Sequence, residues 1–248
     1  MRDRLVLCYH AVSPDWPATL AISPERLREQ VGFLLGRGYE AATFAELVRG
    51  EGSDRALAVT FDDGYRSVLE LGLPVLSELG VPATIFVPTD FVGSPAPMRW
   101  PGIDHWSPGP HEAELRCLNW EQLRRLHEAG WEVGSHSRSH PRLTELDDQS
   151  LAAELTDSRE ACERELGVPC MTLAYPYGDN DPRVQRAARE AGYEAAASLS
   201  PGMERAYCWP RVGVYPVDEM RRFRIKTASA VRRFRAAGPV QVIERARQ

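Results

Sequence analysis

Short apolar runs alternate along the chain with longer stretches in which apolar residues recur every three or four positions. Leu5-Val6-Leu7-Cys8-Tyr9, Ala56-Leu57-Ala58-Val59-Thr60-Phe61, Ala83-Thr84-Ile85-Phe86-Val87, Trp131-Glu132-Val133-Gly134 and Met171-Thr172-Leu173-Ala174-Tyr175 predict strands, most of them apolar on both faces as in a buried parallel sheet. Ser23-Pro24-Glu25 predicts an N-cap followed by proline in the first turn, opening a helix with Leu27, Val31, Leu34 and Leu35 on one face that stops at Gly36 or Gly38. Further helices are predicted over 44–48, 74–79, 120–129, 151–166 and 184–191, closed by Gly50, Gly80, Gly130, Gly167 and Gly192. Weaker strand signals fall at 194–198 and 209–214. Strands alternating with helices predict βαβ units and a largely parallel sheet. With no internal repeat and no linker, the pattern predicts one domain with a core over about 5–215.

Residues 92–119 break the rhythm with Gly93, Pro95, Pro97, Pro101, Gly102, Pro108, Gly109 and Pro110, and carry Trp100 and Trp106 among them. A structureless insert of that length in a domain is expected to be either functional or a disordered surface loop.

The 248 residues are 43% hydrophobic and 26% charged, an ordinary soluble composition. The net charge of −5 excludes an overall nucleic-acid-binding balance. Five scattered cysteines without a C-x-x-C pair argue against a disulfide framework or a thiolate zinc site. No apolar run has the length of a signal core or a membrane span, so a cytoplasmic protein is the default expectation.

The strand at 56–61 runs into Asp62-Asp63-Gly64. Two adjacent carboxylates at the rim of a core repel each other when ionised and need compensation. A divalent metal would supply it and leave one carboxylate free as a base. His136 and His140 follow another strand at a spacing that suits one metal, with Gly134, the intervening serines and Pro141 placing them on a loop or single turn rather than a helix. His140 precedes proline and so is expected in extended backbone, ending that turn. Tyr177, after the strand at 171–175, completes a set of clusters that each follow a strand, as chemistry does at the C-terminal ends of α/β barrel strands.

Thr60-Phe61-Asp62-Asp63-Gly64 followed by His136-Ser137-Arg138-Ser139-His140 resembles the polysaccharide deacetylase family, carbohydrate esterase family four. The resemblance implies a distorted, incomplete (β/α) barrel with fewer than eight repeats and hydrolysis of an N-acetyl group from an amino sugar. It further implies a divalent metal, most often zinc with cobalt or nickel as alternatives, held by Asp63, His136 and His140, with Asp62 as general base. Leu7-Cys8-Tyr9-His10 and Ala174-Tyr175-Pro176-Tyr177-Gly178 are similar to the subgroup acting on poly-N-acetylglucosamine-type substrates. The chemistry of amide hydrolysis itself calls for an oxyanion donor, for which the backbone N–H of Tyr177 is the candidate, and Tyr175 and Pro176 are expected against the substrate.

Two departures stand out. The family's arginine two residues before the proline is Ala174 here, and no histidine follows His140 to serve as the general acid. His10, a recycled Asp62 or water would then protonate the leaving amine. Arg211 lies where a late group could approach substrate, and Trp100 and Trp106 could stack on a sugar. Alternative readings are hydrolysis of a non-sugar amide or cyclic imide, and a non-catalytic sugar- or partner-binding protein that retains the metal. The tail over about 218–248 carries nine basic residues from Arg221 to Arg247 against one acid, Glu244. It is expected to be a closing helix with a solvated basic face, or else a contact for an anionic membrane or a protein partner.

Overall fold

The computed structural model describes residues 2–237, and strands and helices alternate along them much as the apolar pattern predicts. In chain order the elements are β1 (Leu5–Tyr9), β2 (Ala11–Val12), β3 (Ala21–Ile22), α1 (Pro24–Gly36), β4 (Glu40–Ala42), α2 (Phe44–Arg49) and β5 (Ala56–Phe61). There follow α3 (Leu73–Glu78), β6 (Ala83–Val87), α4 (Trp120–Glu128), β7 (Glu132–Ser135), α5 (Asp148–Leu166), β8 (Thr172–Ala174), α6 (Pro182–Glu190) and β9 (Ala195–Ser198). The last are β10 (Trp209–Pro210), β11 (Val212–Gly213), α7 (Met220–Thr227) and α8 (Ser229–Ala237).

The main sheet runs β10-β9-β8-β7-β6-β5-β1-β11, with β4 beside the first half of β5, and its pairings are parallel. Only Arg211 separates β10, which pairs with β9, from β11, which pairs with β1. The segment 209–213 is therefore a single strand interrupted at one residue, and it brings the two ends of the sheet together. The Arg211 N–H donates to the Ser198 carbonyl at 2.9 Å, and that of Val214 to Cys8 at 2.8 Å. The result is a nearly closed barrel of parallel strands with helices outside, the incomplete barrel the resemblance implies.

Strand alternation sorts the side chains. Leu57, Val59 and Phe61 of β5 face outward into the large core shared with the helices, whereas Ala56 and Ala58 face inward. Ala174, Ala195 and Ala197 also point inward, and this run of small residues leaves room for Phe86 and Trp209 to fill the barrel. The short helix α2 closes the N-terminal mouth: Phe44 meets Phe86 and Trp209 edge-on, with centroids 5.8 and 6.3 Å apart. The opposite mouth, where the strands end, is left for polar side chains.

Two features differ from the expectations, and a third, the basic tail, is helical as expected. The insert at 92–119 is folded rather than structureless: Met98, Ile103, Leu115 and Leu118 are buried. Its backbone is pinned by Met98 N–H to Leu115, Gly93 N–H to Leu118 and Leu118 N–H to Gly64 bonds of 2.8 to 2.9 Å. The proline-rich composition hid four widely spaced apolar anchors. The strands β2, β3 and β4 are two or three residues long, too short for a periodicity to register. The basic tail, as far as Ala237, forms α7 and α8, which dock through buried Phe223 and through Arg232, bonded to the Asp3 carboxylate and the Arg4 carbonyl. Glu244, Arg245 and Arg247 lie outside the described residues.

Gly134 sets how closely β7 approaches its neighbours. A Cβ there would sit 2.6 Å from the Phe86 ring and 2.8 Å from Thr172 Oγ1, so Gly134→Ala is expected to destabilise the protein by about 1–3 kcal/mol through overpacking. Urea unfolding measures this, and an unchanged midpoint would mean that the barrel interior yields more than its packing suggests.

Candidate active site

The polar residues singled out by sequence converge on the C-terminal rim of the barrel. β5 delivers the two aspartates: Asp62 continues the strand, its N–H donating to Tyr9 O at 2.9 Å. Asp63 and Gly64 then turn sharply, with φ of 68° and 66°. At Gly64 the turn permits no side chain, because a Cβ would lie 2.9 Å from Val87 Cγ1. This turn sends the two carboxylates in different directions.

Asp63 Oδ1 lies 3.3 Å from His136 Nε2 and 3.3 Å from His140 Nε2. His136 Nδ1 is 2.7 Å from the Ala174 carbonyl, and since a carbonyl only accepts, that nitrogen carries the proton. Its Nε2 therefore turns a lone pair towards the carboxylate, an arrangement that is repulsive unless a proton or a cation lies between. Ligand atoms about 3.3 Å apart are what a four-coordinate ion with bonds of ~2.0–2.1 Å would produce. Asp63, His136 and His140 are all buried, and together they form a triad that could hold a metal ion. Burial alone would raise the Asp63 pKa, but with a proton on each facing nitrogen the two imidazoles hold it well below the usual carboxylate range.

The histidine loop is strained. Ser137 and His140 both have φ of 63°, so His140 adopts left-handed rather than the extended backbone expected before proline. Glu154 of α5 compensates: its carboxylate accepts the N–H groups of Arg138 and Ser139, both at 2.9 Å, and the Ser139 hydroxyl at 2.6 Å. Ser137 Oγ accepts the His140 N–H at 3.1 Å. Among the described residues, the non-glycine positions with left-handed φ are Asp63, Ser137, His140 and Tyr177, all four at this site. Strain of that kind costs about 1–3 kcal/mol per residue and concentrates at functional sites.

Asp62 meets a different partner. Arg211 grips it with both arms, Nη1 to Oδ1 at 2.6 Å and Nη2 to Oδ2 at 2.7 Å, and Nη1 also donates to Thr60 Oγ1 at 3.1 Å. Burial would raise the Asp62 pKa, but the guanidinium overrides it and lowers the pKa to about 2. Arg211 is thus sealed behind Asp62, its side chain 0% exposed, and is not open to a substrate as expected from its sequence position.

A second cluster, Cys8, His10 and Asp62, also has ligand atoms close together. It suits a cation poorly. Both Asp62 oxygens are held by Arg211, and burial pushes the Cys8 thiol well above its usual pKa, keeping it protonated. His10 stands at the end of β1 with its ring stacked on Tyr215 at 6.4 Å.

The remaining predicted residues form the walls. Trp100 stacks on His140, centroids 4.0 Å apart and planes 22° apart, and is only 7% exposed. Its near face is taken by the histidine, so it is a wall of the triad rather than an open sugar platform. Tyr177 meets His140 edge-on at 4.7 Å, with Arg142 over the tyrosine ring at 4.5 Å. Trp106 sits farther out, packed edge-on to Trp16 at 5.8 Å. Tyr175 and Pro176 are buried, and the Tyr175 hydroxyl donates to the Tyr207 carbonyl at 2.9 Å, so neither is free to line a substrate. Both follow β8, which ends at Ala174 rather than at Tyr175 as predicted, and pack inward instead of opening to the rim. Glu154 was not anticipated. Its signal was a carboxylate on the same helical stripe as Leu151, Leu155, Ser158 and Cys162, where charge is costly without partners.

The sequence pattern of the polysaccharide deacetylase family matches residues 49–196, more than half of the chain. The chain belongs to the polysaccharide deacetylase family. Members of this family are carbohydrate esterases, and the matched segment contains the aspartate pair and both histidines. The polysaccharide deacetylase fold is shared with the Streptococcus pyogenes deacetylase PplD, solved in complex with acetate, at a TM-score of 0.75 and 18% identity over 90% of this chain and 97% of that one. IcaB from Ammonifex degensii is similar at a TM-score of 0.72 and 25% identity, covering 94% of this chain and 98% of that one. A poly-β-1,6-N-acetyl-D-glucosamine N-deacetylase of Staphylococcus aureus is 20% identical over 209 residues, 77% of this chain and 67% of that protein. No helix among the described residues is long and apolar enough to cross a membrane.

Two substitutions test this geometry. Glu154→Ala leaves three donors without their acceptor and is expected to lower unfolding stability by about 3 kcal/mol or more in denaturant titrations. Arg211→Met strands the buried Asp62 charge and should cost about 3–5 kcal/mol, a loss that shrinks in an Asp62→Asn background if the two groups act as a pair.

Proposed function

We propose that the protein is a metal-dependent hydrolase that removes N-acetyl groups from an N-acetylglucosamine-type sugar. The observation that carries this reading is the division of labour between the neighbouring aspartates, one facing two imidazole nitrogens and the other clasped by an arginine. Similarity to a poly-N-acetylglucosamine deacetylase and to IcaB supports the sugar class. Asp63, His136 and His140 would hold the ion, with zinc suited to two nitrogens, one carboxylate oxygen and an open position. When bound, a divalent ion there supplies polarisation of the acetyl carbonyl and acidification of the attacking water.

The chain's own groups supply the rest. Asp62, ionised at neutral pH and fixed in orientation by Arg211, takes the proton of the attacking water. A carboxylate held near pKa 2 is a weak base, so its contribution depends on that water being acidified. The backbone N–H of Tyr177, at the left-handed turn beside His140, would donate to the developing oxyanion. His10, the histidine nearest Asp62 outside the triad, would return a proton to the departing amine. Trp100 stacks on His140 and Tyr177 meets it edge-on, so the two rings wall it from water.

The missing arginine at Ala174 favours a non-catalytic member only if nothing else orients the base, and Arg211 does so from the closing strand.

The test is acetate release from β-1,6-linked N-acetylglucosamine oligomers by protein stripped with chelator and reloaded with zinc, cobalt or nickel. Release is expected to depend on metal, to fall by about 10²-fold or more in Asp62→Asn, and to fall less steeply in His10→Asn. Metal binding without release from any oligomer would overturn the sugar deacetylase reading.

A further inference from the structure

The connection from β9 to β10, residues 199–208, contains no helix, so the outer face of the closing strand lacks the crossover helix that covers its neighbours. Between that face and α8 lies a cavity of about 740 Å³. This volume falls within the range that holds a small organic ligand. One wall is apolar, formed by Leu5, Leu199, Pro210 and Val212, with Met203 at the rim and 71% exposed. The other carries Arg4, Lys226, Arg232, Arg233 and Arg235, of which Arg4 pairs with Glu204, Lys226 with Asp218 and Arg232 with Asp3, and Arg235 is exposed. Two of these cations are held in place before any ligand arrives. Arg232 bonds the Asp3 carboxylate and the Arg4 carbonyl, and Lys226 lies 2.7 Å from the buried Asp218.

We propose that this cavity binds an anionic amphiphile, a molecule with a phosphate head and an alkyl chain. The two walls make opposite demands. A bare anion gains nothing from the apolar wall, and a neutral alkyl chain gains nothing from the guanidinium groups, whose planar forks match phosphate oxygens. A ligand carrying both groups satisfies each wall, with its head toward α8 and its chain along β1 and β11. The cavity backs on to the acetyl chemistry: Arg211 of the closing strand is among its lining residues, and the guanidinium of that residue holds Asp62.

Dodecyl phosphate, titrated calorimetrically below its micelle concentration into the full-length protein, is the probe. One-site saturable binding is expected, weakened by about tenfold or more in Arg235→Glu and in Met203→Glu. Both residues are exposed and outside the catalytic machinery, so unchanged thermal midpoints and acetate release verify that the variants fold. Inorganic phosphate and dodecyl maltoside, each matching one wall only, should bind at least about tenfold more weakly. Equal binding by wild type and both variants, or binding of either control as tight as that of dodecyl phosphate, would overturn the proposal. So would the absence of dodecyl phosphate binding.

Discussion

The buried pair of Arg211 and Asp62 is the constraint around which the barrel and its site are arranged. Arg211 occupies the break between β10 and β11, where the last strand leaves β9 and joins β1. Its guanidinium reaches back across the barrel to Asp62 and Thr60, over the face of Phe86 at 5.5 Å. Removing two charges from water costs several kcal/mol per ion, and only close geometry with further hydrogen bonds offsets it. Here two short charge-assisted bonds and the Thr60 hydroxyl do so, and Thr60 passes the network on to the Leu7 carbonyl at 2.8 Å. The same residue sits where backbone pairing closes the sheet, and its side chain fixes the orientation of the carboxylate beside the triad.

That coupling explains how the chain departs from its family's pattern without losing the arrangement the pattern serves. Alanine at 174 leaves a backbone carbonyl that sets the His136 tautomer, while the cation for Asp62 comes from a strand closer to the C-terminus. A charge delivered from the closing strand makes the Asp62 carboxylate depend on barrel closure, which an arginine on β8 would not. The left-handed turns at Asp63, Ser137, His140 and Tyr177 are the local cost of crowding these groups at one rim. Glu154 holds the most strained of the loops from outside.

Much of this was legible in the sequence. The apolar run ending in Asp62-Asp63, the two histidines four apart and the alternation of strands and helices were sufficient for the barrel and the triad, because each depends on local pattern. What the sequence concealed depends on long-range geometry. Arg211 is 149 positions from Asp62, and nothing around it marks its partner. The aromatic residues were misjudged for a related reason: composition gives Trp100 a stacking surface, but not that His140 already occupies it. Short strands such as β2 and β4 escaped because two or three residues carry no period.

The most direct test of this account is the position of the ion itself, from anomalous diffraction at the zinc edge on crystals of zinc-loaded protein. The account predicts one strong peak bounded by Asp63 Oδ1, His136 Nε2 and His140 Nε2, with Asp62 still held by Arg211. A peak between Cys8, His10 and Asp62, with the arginine displaced, would contradict it.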